Sequence, residues 1–314
     1  MTEAGPLVSV VIPARNRAHT LERALRSVLT QDSSDMEILV VDDASTDETP
    51  EVVRGLHDSR IRLLEHAERR GGSAARNTGI RDARGKYIAL LDSDDEWLPG
   101  KLALQVTTLR EASERVGLVL TGFERIWGDE GVETLFPKIP DDLHRRMLFH
   151  GNLLRGATSS ALIRRECFEV AGLFDERLPA AQDYDMWVRI TKHFDAMLIP
   201  EVLVRVFADL PDRISLNLEA KSAASFIISE KYRDEMTWFE YRCLKARRLA
   251  RSGYKWYLAG SKKRARPLVL RALVTWPFSK RAWLYALVTL VPLRLYLRAR
   301  SLFRPFRNVY SEDL

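Results

Sequence analysis

Three carboxylates crowd the turn Asp92-Ser93-Asp94-Asp95, directly after the apolar run that ends at Leu91. Like charges at that spacing repel one another and cost stability. A hard divalent cation, Mn2+ or Mg2+, resolves the conflict because it takes oxygen ligands and bridges phosphates. Such an ion offsets charge that develops on a leaving nucleoside diphosphate. An Asp-x-Asp pair alone arises often by chance, and the competing reading is an acidic turn facing water. Two other polar clusters follow apolar runs in the same way: Pro13-Ala14-Arg15-Asn16 and Asp42-Asp43. Asp43 is placed to accept from the imide N–H of uracil or from a ribose hydroxyl. Alternatively, Asp42 and Asp43 both cap the following helix, and Asp42 is read as structural. The stretch Gly71-Gly-Ser-Ala-Ala-Arg-Asn-Thr-Gly79 allows close backbone approach, and Arg76 within it reaches toward a phosphate or base. A plain Gly71-Gly72 turn is its competing reading.

The elements that must position these residues follow from periodicity. Short apolar runs at Val8–Ile12, Glu37–Val41, Ile61–Leu64, Lys86–Leu91 and Val116–Thr121 predict strands. Helical patterns fill the gaps: Leu21–Leu29, a helix capped by Ser45 or Thr46 and reaching Leu56, Gly71–Arg81, and one starting at Pro99. Strands and helices that alternate at this spacing make βαβ units and a mostly parallel central sheet. Ligands of such sheets bind beyond the carboxyl ends of the strands, where all three polar clusters fall. After Thr121 the rhythm breaks. Residues 128–158 read as irregular, Ser159–Arg164 as a strand, Asp183–Phe194 as a helix, and the chain from Ser215 as helical to its end.

Composition narrows the possibilities. At 314 residues and 46% hydrophobic the chain buries a sizeable core. The first strand is followed by Pro13-Ala-Arg-Asn-Arg-Ala-His19, which lacks the glycines that let a backbone approach the pyrophosphate of a dinucleotide. That argues against an NAD- or FAD-dependent enzyme. Cys167 and Cys243 match no metal or disulfide spacing and read as lone thiols of a reducing compartment. The N-terminus lacks the pattern of a secretory signal, so a cytoplasmic catalytic part is expected.

Together these residues resemble the inverting glycosyltransferases of family 2. The resemblance lies in Val8–Asn16, Val40–Asp47, Gly71–Gly79 and Leu91–Pro99, which occur in the family's order and cover about the first third of the chain. It implies a GT-A-type nucleotide-sugar-binding fold. It implies that Pro13, Arg15 (largely through its backbone) and Asp43 hold the uridine of a UDP-sugar. Arg76, Asp92 and Ser93 would help hold the nucleotide sugar, and Asp94 would ligate the metal. The family places its general base in a Glu-Asp pair before a second-half helix. The matching stretch here is Ala181-Gln-Asp-Tyr-Asp-Met-Trp187, so Asp183 takes the base position and Gln182 replaces the glutamate. Asp183 competes with a helix-capping role and with Asp185 as base. The Gln-x-x-Arg-Trp motif of processive members is missing, which favours single-sugar transfer. Of the family's basic loop over the diphosphate, Arg205, Arg213 and Ser215 remain.

Charge is divided unevenly. From Tyr241 to Ser311 there are 18 Lys or Arg and no Asp or Glu, and residues 241–314 carry +16 against −10 for residues 1–240. The uncharged run Ala282–Leu293 falls short of the ~20 residues a spanning helix needs, and Pro292 interrupts it. With Trp256, Trp276, Trp283 and several tyrosines interleaved, this region is expected to lie on an anionic membrane surface, or else to pack with a solvated basic face. Nucleic acid is not expected, since no recognition motif accompanies the charge. The sequence therefore predicts a catalytic domain at 1–214, with a nucleotide half at 1–121 and an acceptor half at 122–214. A helical basic extension follows at 215–314. The expected partners are a nucleotide-sugar donor and a glycan or lipid-linked acceptor at the inner face of the cell membrane. The alternative is a non-catalytic nucleotide-sugar or glycan-binding module, for which Gln182 is the support.

Overall fold

Val8–Ala14 forms strand β1, and all of its residues except Pro13 are buried. A central strand needs apolar residues on both faces, and this run supplies them. Helix α1 (Ala18–Leu29) follows, with Leu21, Leu25 and Val28 fully buried at helical spacing in the same core as Val10 and Ile12. Leu25→Ala is expected to cost about 2–5 kcal/mol. The pattern repeats through β2 (Met36–Asp42), α2 (Thr49–Gly55), β3 (Ile61–Glu65), α3 (Gly72–Asp82), β4 (Tyr87–Leu90), the two-residue β5 (Glu96–Trp97) and α4 (Lys101–Glu111). Gly79 lets α3 lie close on β1, because a Cβ there would run into Val11. The computed structural model describes residues 5–32, 35–128, 131–154, 158–208 and 217–302.

The remaining strands are β6 (Val116–Ile126), β7 (Val132–Leu135), β8 (Leu162–Arg164) and β9 (Asp195–Phe207), with helices α5 (Leu143–His150), α6 (Glu166–Ala171) and α7 (Gln182–Thr191) between them. All nine strands join one sheet in the order β3-β2-β1-β4-β8-β6-β9-β5, with β7 added on β6. The first four strands in that order are parallel, as the alternating rhythm requires. Beyond β4 the sheet is mixed: β8 is antiparallel to β4 and β6, while β6 and β9 run parallel through a series of register shifts.

Several expectations need correction. The stretch 128–158, read as irregular, contains β7 and α5, whose Leu143, Met147 and Leu148 are buried. Strand β9 was not foreseen, and Pro200 within it hides its pattern. Neither Ser45 nor Thr46 caps α2, which begins at Thr49. Ser45 instead hydrogen-bonds Asp42 through its hydroxyl, and the backbone N–H of Thr46 donates to Asn16 Oδ1 at 2.8 Å. Their capping chemistry is spent on joining the turns after β1 and β2.

The contacts divide the chain into two compact units, Met1–Asp212 and Arg213–Leu314. The second is all helix among its described residues: α8 (Leu218–Lys231), α9 (Trp238–Leu258), α10 (Lys262–Thr275), α11 (Lys280–Leu290) and α12 (Leu293–Leu302). A Thr237–Glu240 capping box starts α9. Gly253 admits α10 at close range, since a Cβ would lie 2.5 Å from Val269 Cγ2. The core of this unit is small and includes Ala246, Leu249, Ala250, Val269, Ala272 and Ala282, with Tyr254 stacked on Tyr285 at 4.4 Å. The helix breaks between Leu290 and Leu293, at Pro292.

Candidate active site

The three polar clusters lie at the carboxyl ends of β1, β2 and β4, which are neighbours in the sheet. The turns after β1 and β2 are tied together. Arg15 Nη1 donates to the carbonyls of Asp43 and Ala44 at 2.7 and 2.9 Å. The Asn16 N–H donates to Ser45 Oγ at 2.9 Å. Asn16 and Ala44 both adopt positive φ, a conformation uncommon in non-glycine residues. These bonds hold them in it. Pro13 is half-buried at the rim of the same turn.

Asp43 is buried and clamps the loop before α3. Its Oδ1 accepts from the Arg70 N–H at 2.7 Å and its Oδ2 from the Gly71 N–H at 2.8 Å, with His66 Nδ1 2.9 Å from Oδ1. Burial alone would raise its pKa, but these hydrogen bonds outweigh it and hold the carboxyl below its ordinary value. An ionised carboxylate accepts at about four lone-pair positions, so room for one further donor remains. Asp42 is engaged otherwise, accepting from the Ser45 N–H at 2.9 Å.

The acidic turn follows β4. Ligand oxygens of Asp92, Asp94 and Asp95 all lie within 4.8 Å of one another. Arg76, on α3, places Nη2 2.5 Å from Asp92 Oδ1 and offsets one of the three charges. Two residues that give no sign of their role in the sequence fix the turn. Ser159, from the short 3-10 turn Thr158–Ser160, accepts the Asp92 N–H at 3.0 Å and donates to Asp95 Oδ2 at 2.5 Å. Arg23, on α1, donates to the Asp94 carbonyl at 2.8 Å and stacks 3.7 Å over the Phe207 ring. Ser93 and Asp94 are both buried. Beneath the turn, Trp97 Nε1 donates to the Ser159 carbonyl at 2.7 Å, and the amine of Lys101 sits 4.0 Å over the Trp97 ring. Lys101 is fully buried, and burial pushes its pKa well below the usual lysine value. Three carboxylates that converge within ion-binding distance form a hard-oxygen donor set, which suits Mn2+ or Mg2+.

Asp183 stands in the first turn of α7, after Ala181 in a left-handed conformation. Its Oδ2 accepts from Asn152 Nδ2 at 2.9 Å. Burial raises its pKa above the ordinary value; the Tyr184 N–H and the charge of Arg76 oppose that rise, and the charge of Asp92 adds to it. The charges of Arg76 and Asp92 thus reach Asp183. Asp185 is committed elsewhere: it is fully buried and pairs with Arg189 at 3.0 Å. Gln182 donates to the Leu178 carbonyl at 3.1 Å. Arg205, on β9, lies 3.5 Å from Glu124 and 3.8 Å from Glu96, so its guanidinium is already paired. Arg213 and Ser215 lie outside the described residues.

Residues 9–171, just over half of the chain, match the profile described as Glycosyl transferase family 2. The chain belongs to that family. Among relatives, the succinoglycan biosynthesis protein ExoO of Rhizobium meliloti is 33% identical over 57% of this chain and 54% of its own length. The UDP-Glc:alpha-D-GlcNAc-diphosphoundecaprenol beta-1,3-glucosyltransferase WfgD of Escherichia coli is 43% identical over 33% of this chain and 41% of its own. The match spans 63% of the length of one curated Rickettsia glycosyltransferase and 33% of another. Among solved structures, S. aureus TarS 1-349 in complex with UDP-GlcNAc shares the fold with a TM-score of 0.66 at 17% identity, over 93% of this chain and 87% of that one. The curled mixed sheet of this family 2 chain is therefore of the GT-A type that the sequence motifs imply, and the helical C-terminal region accompanies it.

Proposed function

We propose that the chain is an inverting transferase that moves one sugar from a nucleotide sugar, UDP-linked, to a hydroxyl of a glycan or lipid-linked acceptor. The work is assigned to residues 1–214, with donor binding in 1–121 and the acceptor side in 122–214, and serves surface polysaccharide or glycoconjugate synthesis. The observation that carries this reading is the convergence of Asp92, Asp94 and Asp95 after β4, with Arg76 on Asp92. Both WfgD and TarS are described with UDP-sugars, and WfgD with a lipid-linked acceptor, which supports the choice of donor and acceptor class.

The roles divide by position. Asp43, Pro13 and the Arg15 backbone take the nucleoside; Arg76, Asp92 and Ser93 take the sugar diphosphate. Asp94 would be the principal ligand of Mn2+ or Mg2+, which when bound would offset negative charge on the departing diphosphate. The Asp183 carboxylate removes the acceptor hydroxyl proton. The acceptor oxygen then bonds to the anomeric carbon from the face opposite the leaving group. The anomeric C–O bond to phosphate breaks, and its electron pair leaves with the nucleoside diphosphate. A raised pKa makes Asp183 a stronger base once ionised. The helices of 215–314 hold the enzyme at the anionic inner face of the membrane, where a lipid-linked acceptor is anchored.

The second reading is a binding module without activity. Gln182 favours it, because an amide takes no proton. Hydrolysis of UDP-sugars with added Mn2+ separates the two. Slow turnover lost in Asp183→Asn supports the enzyme; UDP binding without hydrolysis or transfer across a donor panel supports the module.

A further inference from the structure

The apolar surface of the chain is concentrated in the helical unit. Among the described residues of Met1–Asp212 the exposed large hydrophobics are Val132 and Phe136 at β7, Val170 on α6 and Met197 on β9. In the helical unit the exposed aromatic residues gather around one end of the bundle. Trp238 meets Phe239 edge-on at 4.9 Å, Phe239 meets Trp276 at 6.1 Å, and Trp276 meets Phe278 at 5.6 Å. Trp283 Nε1 donates to the Pro277 carbonyl at 2.8 Å, which brings its ring to the same place. This aromatic cluster joins the start of α9, the end of α10 and the start of α11. Trp238 is 59% exposed and Phe278 80%.

Helix α11 extends the cluster. It buries Ala282, Tyr285 and Thr289 and exposes Trp283, Leu284, Leu287 and Leu290. That is the reverse of a helix whose outer face meets water, where charged residues face outward. Its first two residues are Lys280 and Arg281, and Arg294 follows in α12. Arg242 stacks 4.6 Å over Trp238 and donates to the Thr275 carbonyl at 2.7 Å. Exposed aromatic rings flanked by cations, those from Trp276 onward in a stretch with no carboxylate between Tyr241 and Ser311 and Trp238-Phe239 beside Glu240, match the headgroup zone of an anionic bilayer. Rings settle at that depth, and cations gain from the surface potential. A water-soluble partner would also have to bury these rings, but only a strongly acidic one would suit the surrounding charge. Among the described residues no helix is long and apolar enough to cross a membrane, so contact is by lying on the surface.

We propose that this face, the Trp238-Phe239-Phe278-Trp283 cluster continued by Leu284, Leu287 and Leu290, inserts its apolar side chains into the interface of an anionic bilayer. The inference rests on the reading of the helical unit as a membrane-surface element and names the face that makes the contact.

Vesicle flotation of the full chain tests it, with phosphatidylcholine vesicles and with vesicles of phosphatidylcholine and phosphatidylglycerol. The wild type floats with the anionic vesicles at least about tenfold more tightly than with the neutral ones. The double variant Phe278→Glu, Leu287→Glu loses about tenfold or more of that affinity. Its circular dichroism and donor hydrolysis stay as in the wild type. Quenching of wild-type tryptophan fluorescence by brominated acyl chains needs no variant and is expected on anionic vesicles. If the wild type floats with neither vesicle, the membrane reading itself fails, and this proposal with it. If it floats but the double variant floats equally well, or no quenching occurs, the membrane reading stands and this face is the wrong one. If the double variant instead splits a wild-type dimer in ultracentrifugation and leaves flotation unchanged, the face belongs to a second copy.

Discussion

Glu37, at the amino end of β2, and the acidic turn after β4 treat their carboxylates in opposite ways. At the amino end, Glu37 accepts from Ser9 Oγ, from the Arg84 N–H and Nε, and from Arg62 Nη1, at 2.7 to 3.0 Å. Burial would raise its pKa, but these donors together hold the carboxyl below its ordinary value. At the carboxyl end, three carboxylates share one turn, a single arginine sits on Asp92, and Asp183 nearby is raised by burial. The first arrangement lowers the energy of the folded chain. The second gathers like charge on one turn. Folded proteins carry such local conflict at functional sites and offset it elsewhere. On the function proposed above, the contrast sets Glu37, an acid of the fold, against the acids of the turn after β4.

Substitutions that remove one acid at a time break or sharpen that contrast. The largest effect is expected at Asp183. Asp183→Asn lowers kcat by about 10²–10⁴-fold and leaves donor binding near the wild-type value, as rapid-mix product assays and UDP titration would show. Asp185→Asn is its counterpart. It breaks a buried ion pair, so the loss is expected in thermal stability rather than in the chemical step. Equal kcat losses in both would erase the distinction between them.

Ser159→Ala comes next. It removes the acceptor for the Asp92 N–H and the donor to Asp95. Lost buried hydrogen bonds of this kind cost about 1–3 kcal/mol. We expect kcat/KM to fall roughly tenfold, with weaker Mn2+ dependence, alongside that loss of stability. A loss of stability with unchanged kcat/KM would make Ser159 a residue of the fold alone.

Glu37→Gln gives the smallest effect on activity and a clear effect on stability, about 1–3 kcal/mol at neutral pH. The pH dependence follows from the direction of its shift. The folded pKa lies below the unfolded one, so the unfolded chain takes up the proton first. The stabilisation is complete above the ordinary value of 4.5 and is lost as pH falls through the lower folded value. Denaturant midpoints of wild type and variant should therefore draw together as pH falls below 4.5. A constant gap across that range would show that Glu37 is not the titrating group.

The same contrast explains what could be read from the sequence. The parallel strands and their polar ends were legible because each strand is a short apolar run closed by a change in chemistry, as at Val41-Asp42-Asp43 and Leu91-Asp92. The mixed part of the sheet was not. Strand β5 is two residues long, and β9 is interrupted by Pro200 and by shifts of register against β6. Candidate ligands were visible as residue types, but the groups that hold them were not. Ser159, Asn152, Arg23 and His66 act across 23 to 71 residues of chain. Only the folded contacts bring them to their partners. The extension was legible in charge, while the exposure of Leu287 and Phe278 required knowing which side of each helix its neighbours cover.

The central claim is that the acidic turn after β4 is a cation-assisted nucleotide site. Thermal unfolding of wild type and Asp94→Ala, each with Mn2+, with UDP and with both, tests it most directly, because a ligand that binds only the folded state raises its stability. The account predicts that UDP and Mn2+ together raise the wild-type Tm well beyond the sum of their separate effects. Asp94→Ala should lose that cooperation. An Asp94→Ala chain that responds to the pair as the wild type does would contradict the account.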